Sequence, residues 1–322
     1  KEMDYNLSAF YDEKVVVVTG GSGYIGSALI NKLQKYNCKI TRTSRTTLNP
    51  IDGVQDKILD LTSKESWVEI VSTADIIFHL AGNTSIAFAE ENIDDSLLSN
   101  LLPIVNLVYA SKKLKRSPRV VYASTATVYG MTDLHPVAEE VVPRPVSIYD
   151  LHKLYVEQHL TMASNQGFLS VKSLRLANVY GPSLSESGSK DRGILSKITK
   201  ACMQGGTINA YGGGDYLRDY IYIDDVVDAF LCACISDSSD TVINVASGVG
   251  TTVKEVFQMI SDEVEKNKGV CCNVKDTDWP ENINIIEKRN FIASNNKLKS
   301  MLGWKVNVPL KTGIQKLVQH YS

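Results

Sequence analysis

Short apolar runs alternate with stretches of helical periodicity through the first half of the chain. KVVVVTG (14–20) predicts a strand buried on both faces, and 24–36 a helix. KITRTS (39–44) and DKILDL (56–61) predict the next two strands, SKESWVEIV (63–71) a helix, and ADIIFHLAG (74–82) a fourth strand. Residues 93–115 predict a long helix that Pro103, lacking an N–H, should kink or break. RVVYAS (119–124) predicts a fifth strand, 147–165 a helix, and LSVKSLRL (169–176) a sixth strand. Continuous Val/Ile runs separated by helices imply an α/β fold with a parallel sheet covered on both faces.

Beyond Pro182 the pattern changes. SLSESGSKDRG (183–193) is a polar, Gly/Ser-rich loop, a candidate mobile flap. A helix (193–204), the Gly- and Tyr-rich INAYGGGDYLRDYIYIDD, a strand (241–247), a helix (251–266), a long loop around KDTDWPENIN and a last helix (310–320) follow. This predicts a larger unit over 11–180 with returns near 219–247. A smaller, interleaved unit is expected over 181–218 and 248–322.

Composition narrows the classes. With 322 residues, 43% hydrophobic and 22% charged, the chain is of globular type. A net charge of −2 gives no push towards nucleic acid or an anionic membrane, so neither is expected as a partner. The basic cluster Lys112, Lys113, Lys115, Arg116 and Arg119 falls where a helix should end, a place that favours cations. No apolar run of about 18 residues predicts a membrane span. The polar N-terminus has no signal-peptide core and no initiating Met. The six cysteines follow neither an extracellular nor a metal-ligand spacing. Reduced thiols in a cytoplasmic protein without a bound metal are therefore expected.

TGGSGYIG places Gly20, Gly23 and Gly26 between the first strand and its helix. The first glycine allows a tight turn. The second lets the backbone approach a pyrophosphate, and the third lets helix and strand pack closely. Strand, loop and helix together predict a Rossmann-like, doubly wound dinucleotide-binding fold. The second strand in such folds often ends in an acid that bonds the adenosine ribose. Here it ends in Ser44 and Arg45, which removes repulsion of a 2′-phosphate and supplies a partner for it. NADP(H) is favoured on that ground, and NAD(H) remains open.

YDLHK puts Tyr149 and Lys153 four residues apart, on one face of a helix. A tyrosine has a pKa of about 10, so proton abstraction near neutral pH needs a neighbouring cation such as a lysine ammonium. Thr125, at the end of the fifth strand, offers a hydroxyl to hold the reacting oxygen. The three side chains suit proton transfer coupled to hydride transfer with a nicotinamide.

With the G-x-x-G-x-x-G spacing, STATVYG (124–130), Y-x-x-x-K and RLANVYGP (175–182), nearly the whole chain resembles the extended short-chain dehydrogenase/reductase family. It is most similar to the nucleotide-sugar epimerase/dehydratase group, UDP-galactose 4-epimerase-like enzymes among them. That resemblance implies Thr125, Tyr149 and Lys153 as catalytic residues. It implies cofactor contacts from Gly20, Gly23, Tyr24, Ile25, Gly26, Ser44, Arg45, Asp60, Leu61, Leu80, Ala81, Gly82, Asn100, Ala123, Tyr149, Lys153 and Leu176. It also implies substrate contacts from Ser124, Thr125, Asn178, Arg218 and Arg289, the two arginines clamping a diphosphate. His79 itself reads as a core histidine. Dehydratase relatives carry Asp-Glu after the catalytic threonine and decarboxylating relatives a Glu. Ala126 and Thr127 stand here instead, which disfavours both reactions. The resemblance therefore implies a nucleotide-diphosphosugar 4-epimerase. An NADPH-dependent 4-keto-6-deoxysugar reductase is the main alternative, a reductase of steroids or plant phenols a wider one, and a non-catalytic dinucleotide-binding regulator a third. A homodimer through the long helices 93–115 and 149–165 is the implied assembly.

Overall fold

The computed structural model describes residues 2–82, 85–184, 193–301 and 303–322. Seven parallel strands form the large sheet: β1 (Val15–Thr19), β2 (Lys39–Ser44), β3 (Val54–Ile58), β4 (Ile76–His79), β5 (Arg119–Thr125), β6 (Ser170–Leu176) and β10 (Val242–Val245). Their spatial order is β10-β6-β5-β4-β1-β2-β3. The strand sequence reverses between β1 and β4. Ligands of open α/β sheets bind at such a switch point, outside the carboxyl ends of the strands.

Successive side chains of a strand point to opposite faces, and both faces are covered. Val16 and Val18 pack with Leu29 and Ile30 of α2 (Tyr24–Leu33) and Phe230 of α8 (Ile223–Ile235). Val17, between them, packs on the other side. Its partners include Trp67 of α3 (Lys64–Thr73), Leu107 of α5 (Ile93–Leu114) and Val156 of α6 (Ile148–Asn165). This is the layered arrangement that the Val/Ile runs predict.

Two smaller sheets lie apart from the large one. β9 (Leu217–Tyr222) pairs with β7 (Asn178–Tyr180) and antiparallel with β11 (Gly250–Thr252). β8 (Thr207–Tyr211) pairs in parallel with β12 (Asn273–Thr277). A third core, including Tyr180, Ile208, Tyr222, Phe257 and Leu317, joins them to α7 (Ile194–Met203), α9 (Val253–Lys268) and the last helix (Leu310–Tyr321). Between β9 and α9 the chain returns to the large sheet through α8 and β10.

Several local expectations change. The third strand ends at Ile58, because Leu59 and Leu61 turn onto the α3–α5 side of the sheet. Pro103 does not break α5; its missing hydrogen bond is tolerated inside a 22-residue helix packed against α3 and α6. Helix α8 has no predicted counterpart. It follows β9 directly, with no turn residue to mark its start at Ile223, and it lies buried between β5, β6 and helices α1 (Glu2–Tyr11) and α2. In α1, Leu7 and Tyr11 are fully buried, and the Tyr11 hydroxyl donates to Leu231 O at 3.0 Å. Helix α4 (Ile86–Glu91) is a short piece that the pattern does not signal. Most of the flap expected over 183–193 lies outside the described residues.

Candidate active site

The carboxyl ends of β1, β4 and β5 meet at the switch point. Gly20 has φ +67°, and a Cβ there would come within 2.7 Å of Ala81 N and 2.8 Å of Leu80 C. Leu80 and Ala81 are held in place by Thr19, whose hydroxyl accepts from both amides at 3.2 Å. The same hydroxyl lies 2.7 Å from His79 Nδ1. Burial pushes the His79 imidazole down to about 3, so it is a neutral core histidine bracing the strand end. Gly82 follows, against Asn100 Oδ1, while Asn100 Nδ2 donates to Ser96 O at 2.8 Å. Five of the expected cofactor residues are thereby brought together.

The glycine loop fits a pyrophosphate. Among the described residues, a Cβ on Gly23 would meet only Gly20 O within 4 Å, and no side chain caps the first turn of α2, so this surface is open to a ligand there. Ile25 packs into the core and the Tyr24 hydroxyl donates to Gly181 O at 2.7 Å, so those two residues offer a ligand their backbone. At the end of β2, Ser44 Oγ donates to Thr46 O at 2.6 Å, and Arg45 is exposed. Asp60 accepts from Thr62 N and Oγ1, which, with the nearby Arg45 charge, holds its carboxyl below the usual value. Leu61 is half-buried beside it. Arg42 is absorbed by the fold: its guanidinium pairs with Asp56 at 2.6 and 2.9 Å.

Lys153 is buried in α6. Its Nζ donates to Ala123 O at 3.0 Å and lies 5.8 Å from the Tyr149 ring centroid and 5.0 Å from that of Tyr122. Burial pushes the ammonium down to about 8, against the opposing pull of Asp150 and Glu157. Ser124 is buried beside the Glu157–Arg175 ion pair, away from the cavity described next.

Thr125 opens onto that cavity, of about 110 Å³, lined by Ala126, Thr127, Leu176, Ala177, Asn178, Arg289 and Phe291 besides itself. Register explains the grouping. Thr125 pairs with Leu176 at the ends of β5 and β6, and β7 starts two residues later at Asn178. A larger cavity of about 410 Å³ lies at the amino ends of β1, β4 and β5, around Lys14, Ile76 and Arg119, away from these groups. Arg289 is buried, with Nη1 donating to Ile286 O at 2.8 Å and no partner for Nε among the described residues. Burial, then the nearby Arg218 charge, push its guanidinium down to about 10. Arg218 does not line the cavity. It donates to Leu217 O at 3.1 Å, to Glu287 O at 2.5 Å and to Arg289 O. It also lies 4.6 Å from the Tyr216 ring centroid. The two arginines expected to clamp one diphosphate are neighbours, with Arg218 holding the segment that carries Arg289.

Residues 16–246 match the NAD dependent epimerase/dehydratase family. The chain belongs to this family. Among the family's members, UDP-glucose 4-epimerase of Mycolicibacterium smegmatis is 28% identical over 320 residues, covering 95% of this chain and 97% of that one. dTDP-4-dehydro-6-deoxyglucose reductase of Escherichia coli is 27% identical, covering 94% and 96%. A crystal structure of UDP-glucose 4-epimerase with UDP-glucose from Thermotoga maritima has a TM-score of 0.83 at 27% identity, covering 95% of this chain and 98% of that chain. The Rossmann-like architecture and the dinucleotide-dependent chemistry expected from the motifs are those of this family.

Ser147 and Asp150 escaped the sequence reading, and Thr127 entered it only as neither acid nor base. Thr127 Oγ1 lies 2.7 Å from Thr125 Oγ1 and donates to Asp150 Oδ1; Ser147 Oγ donates to Asp150 Oδ2 at 2.7 Å. Asp150 is fully buried. The signal was an acid next to Tyr149, a place that in sequence reads equally as the acidic first turn of a helix.

Proposed function

We propose that the protein is a nucleotide-diphosphosugar 4-epimerase. The observation that carries this reading is the cavity that joins Thr125, Asn178 and Arg289 at the ends of β5 and β6. It offers a hydroxyl for the sugar oxygen, an amide, and a buried cation for a phosphate. Names of relatives and of the compared crystal structure point to the same substrate class.

The dinucleotide, when bound, supplies the hydride acceptor and donor for sugar C4. Gly20, Gly23 and the backbone of Tyr24 and Ile25 would hold its pyrophosphate, with Gly26 letting α2 approach. Asp60, Leu61, Ser44 and Arg45 would flank the adenosine. Leu80–Gly82, Asn100, Ala123, Lys153 and Leu176 would line the nicotinamide side. Tyr149 moves the proton at the C4 oxygen, and the Lys153 ammonium favours its phenolate. Thr125 orients the sugar. Ala126 and Thr127 offer no acid or base to the cavity, against elimination of water or carboxyl loss.

In this reading 11–180, with returns near 219–247, forms the dinucleotide-binding domain, and 181–218 with 248–322 the sugar-nucleotide domain. Arg45 favours NADP(H), and with it the second reading, an NADPH-dependent 4-keto-6-deoxysugar reductase. A homodimer through α5 and α6 fits the exposed Leu98, Tyr109, Tyr155 and Met162 on those neighbouring helices. Six cysteines that form no disulfide fit the cytoplasm.

The test is the cofactor in the purified protein, with turnover of UDP-glucose, UDP-glucuronic acid and dTDP-4-keto-6-deoxyglucose. Retained oxidised cofactor and interconversion of C4 epimers support the epimerase. An empty site and NADPH-dependent reduction of the keto sugar support the reductase. No dinucleotide binding and no turnover would remove both.

A further inference from the structure

The buried aspartate behind the catalytic threonine has a consequence for the direction of hydrogen bonds. Asp150 shows no exposed surface, and its two carboxylate oxygens face two hydroxyls, Thr127 Oγ1 and Ser147 Oγ. An ionised carboxylate can only accept. Thr127 must then give its one hydroxyl proton to Asp150. At 2.7 Å from Thr125 Oγ1, Thr127 is left as the acceptor of that contact, so the Thr125 proton points at Thr127. The Thr127 amide also donates to Thr125 Oγ1, at 3.2 Å. What Thr125 has left for a ligand is a lone pair.

We infer that Asp150 is a positioning residue for the reaction: acting through Thr127, it makes the Thr125 hydroxyl an acceptor, so that Thr125 engages a sugar hydroxyl beside the reacting carbon and leaves the C4 proton to Tyr149. This rests on the role proposed above for Thr125. Protonating Asp150 releases the constraint. The chain can then run from Asp150 through Thr127 to Thr125, and Thr125 can donate.

The charged groups around Asp150 act in both directions. Arg289 favours the carboxylate and Glu287 opposes it; Lys153, one turn along the same helix, is itself held up by Asp150. Glu90 of α4 accepts from Ile148 N at the start of the helix. Burial outweighs the hydroxyl donors, so the Asp150 carboxyl titrates above the ordinary aspartate value. Turnover of a hydroxyl sugar therefore falls as pH drops through that ionisation.

The experiment compares wild type with Asp150→Asn and Thr127→Val. The kcat/KM–pH profile is measured on whichever of UDP-glucose and UDP-glucuronic acid the wild type turns over. Both variants should lose the acid-side ionisation, with kcat lowered roughly tenfold for the loss of one oriented hydrogen bond. Thr127→Val leaves Asp150 in place, so an unchanged acid limb in that variant overturns the inference, whether or not Asp150→Asn folds. Infrared titration of the carboxyl in free enzyme reads the link without substrate. The Asp150 pKa should rise further in Thr127→Val, which removes a donor to the charged form; an unmoved pKa overturns the inference. Thr125→Val separates the two readings. Near-normal turnover in it would sink the role of Thr125, whereas lost turnover with a wild-type profile in Thr127→Val would sink only the role of Asp150.

Discussion

A methyl group on Gly26 would sit 2.2 Å from the carbonyl oxygen of Gly20. The contact is backbone against backbone, so nothing flexible can yield. Gly26→Ala should destabilise the protein by about 1–3 kcal/mol and abolish dinucleotide binding. Gly23→Ala, which meets only Gly20 O at 3.2 Å, should fold and lose mainly affinity for the cofactor. Denaturant unfolding alongside cofactor titration distinguishes the two; equal loss of stability in both would contradict this division of roles.

Tyr149→Phe should lower kcat by about 10²–10⁴-fold, the usual worth of a positioned acid–base group, with fold and cofactor affinity kept. Steady-state kinetics with circular dichroism checks this. Near-normal activity would remove Tyr149 from the chemistry.

Arg289→Ala should raise KM for a nucleotide sugar far more than for a sugar lacking the diphosphate. Arg218→Ala should share that phenotype by releasing residues 285–289. It should also cost about 1–3 kcal/mol of stability, because the carbonyls of Leu217, Glu287 and Arg289 lose their donor. A stable Arg218→Ala protein with an unchanged KM would show that it neither binds nor holds.

The Lys153 ammonium is depressed to about 8 from 10.5. A base with a lowered folded pKa binds fewer protons folded than unfolded between those two values. Its burial penalty is therefore present below pH 8 and relieved as pH rises through that window. Unfolding free energy should climb with pH there in wild type relative to Lys153→Met. Activity should decline over the same range as the cation beside Tyr149 is lost. Parallel stability–pH curves for the two proteins would refute this.

Arg45→Ala should weaken NADPH binding by roughly ten- to hundredfold, the worth of one charge-assisted hydrogen bond, and leave NADH unaffected. Fluorescence titration of both cofactors decides it. Equal affinities before and after would return Arg45 to an ordinary exposed side chain.

Much of the molecule was legible along the chain. The glycine spacing, the Val/Ile runs and Y-x-x-x-K are local patterns. Strand burial, a tight turn and a shared helix face follow from residue type and period alone. Helices α1 and α8 were not legible. Among the described side chains of α1 only Leu7 and Tyr11 are fully buried, too few to show a period, and α8 follows β9 directly at Ile223 with no turn residue between them.

The division within the site has the same origin. By itself the sequence determined that a strand–glycine-loop–helix unit exists, that Tyr149 and Lys153 share a face, and that the second strand ends in Ser44 and Arg45. Tertiary structure alone decided that Arg218 faces backbone carbonyls while Arg289 reaches the cavity. It also decided that Thr125, Thr127 and Asp150 form one chain of hydrogen bonds. The Thr127–Asp150 and Arg218–Arg289 contacts join residues 23 and 71 positions apart. No local period encodes them, because they come into being only when separate elements pack against one another.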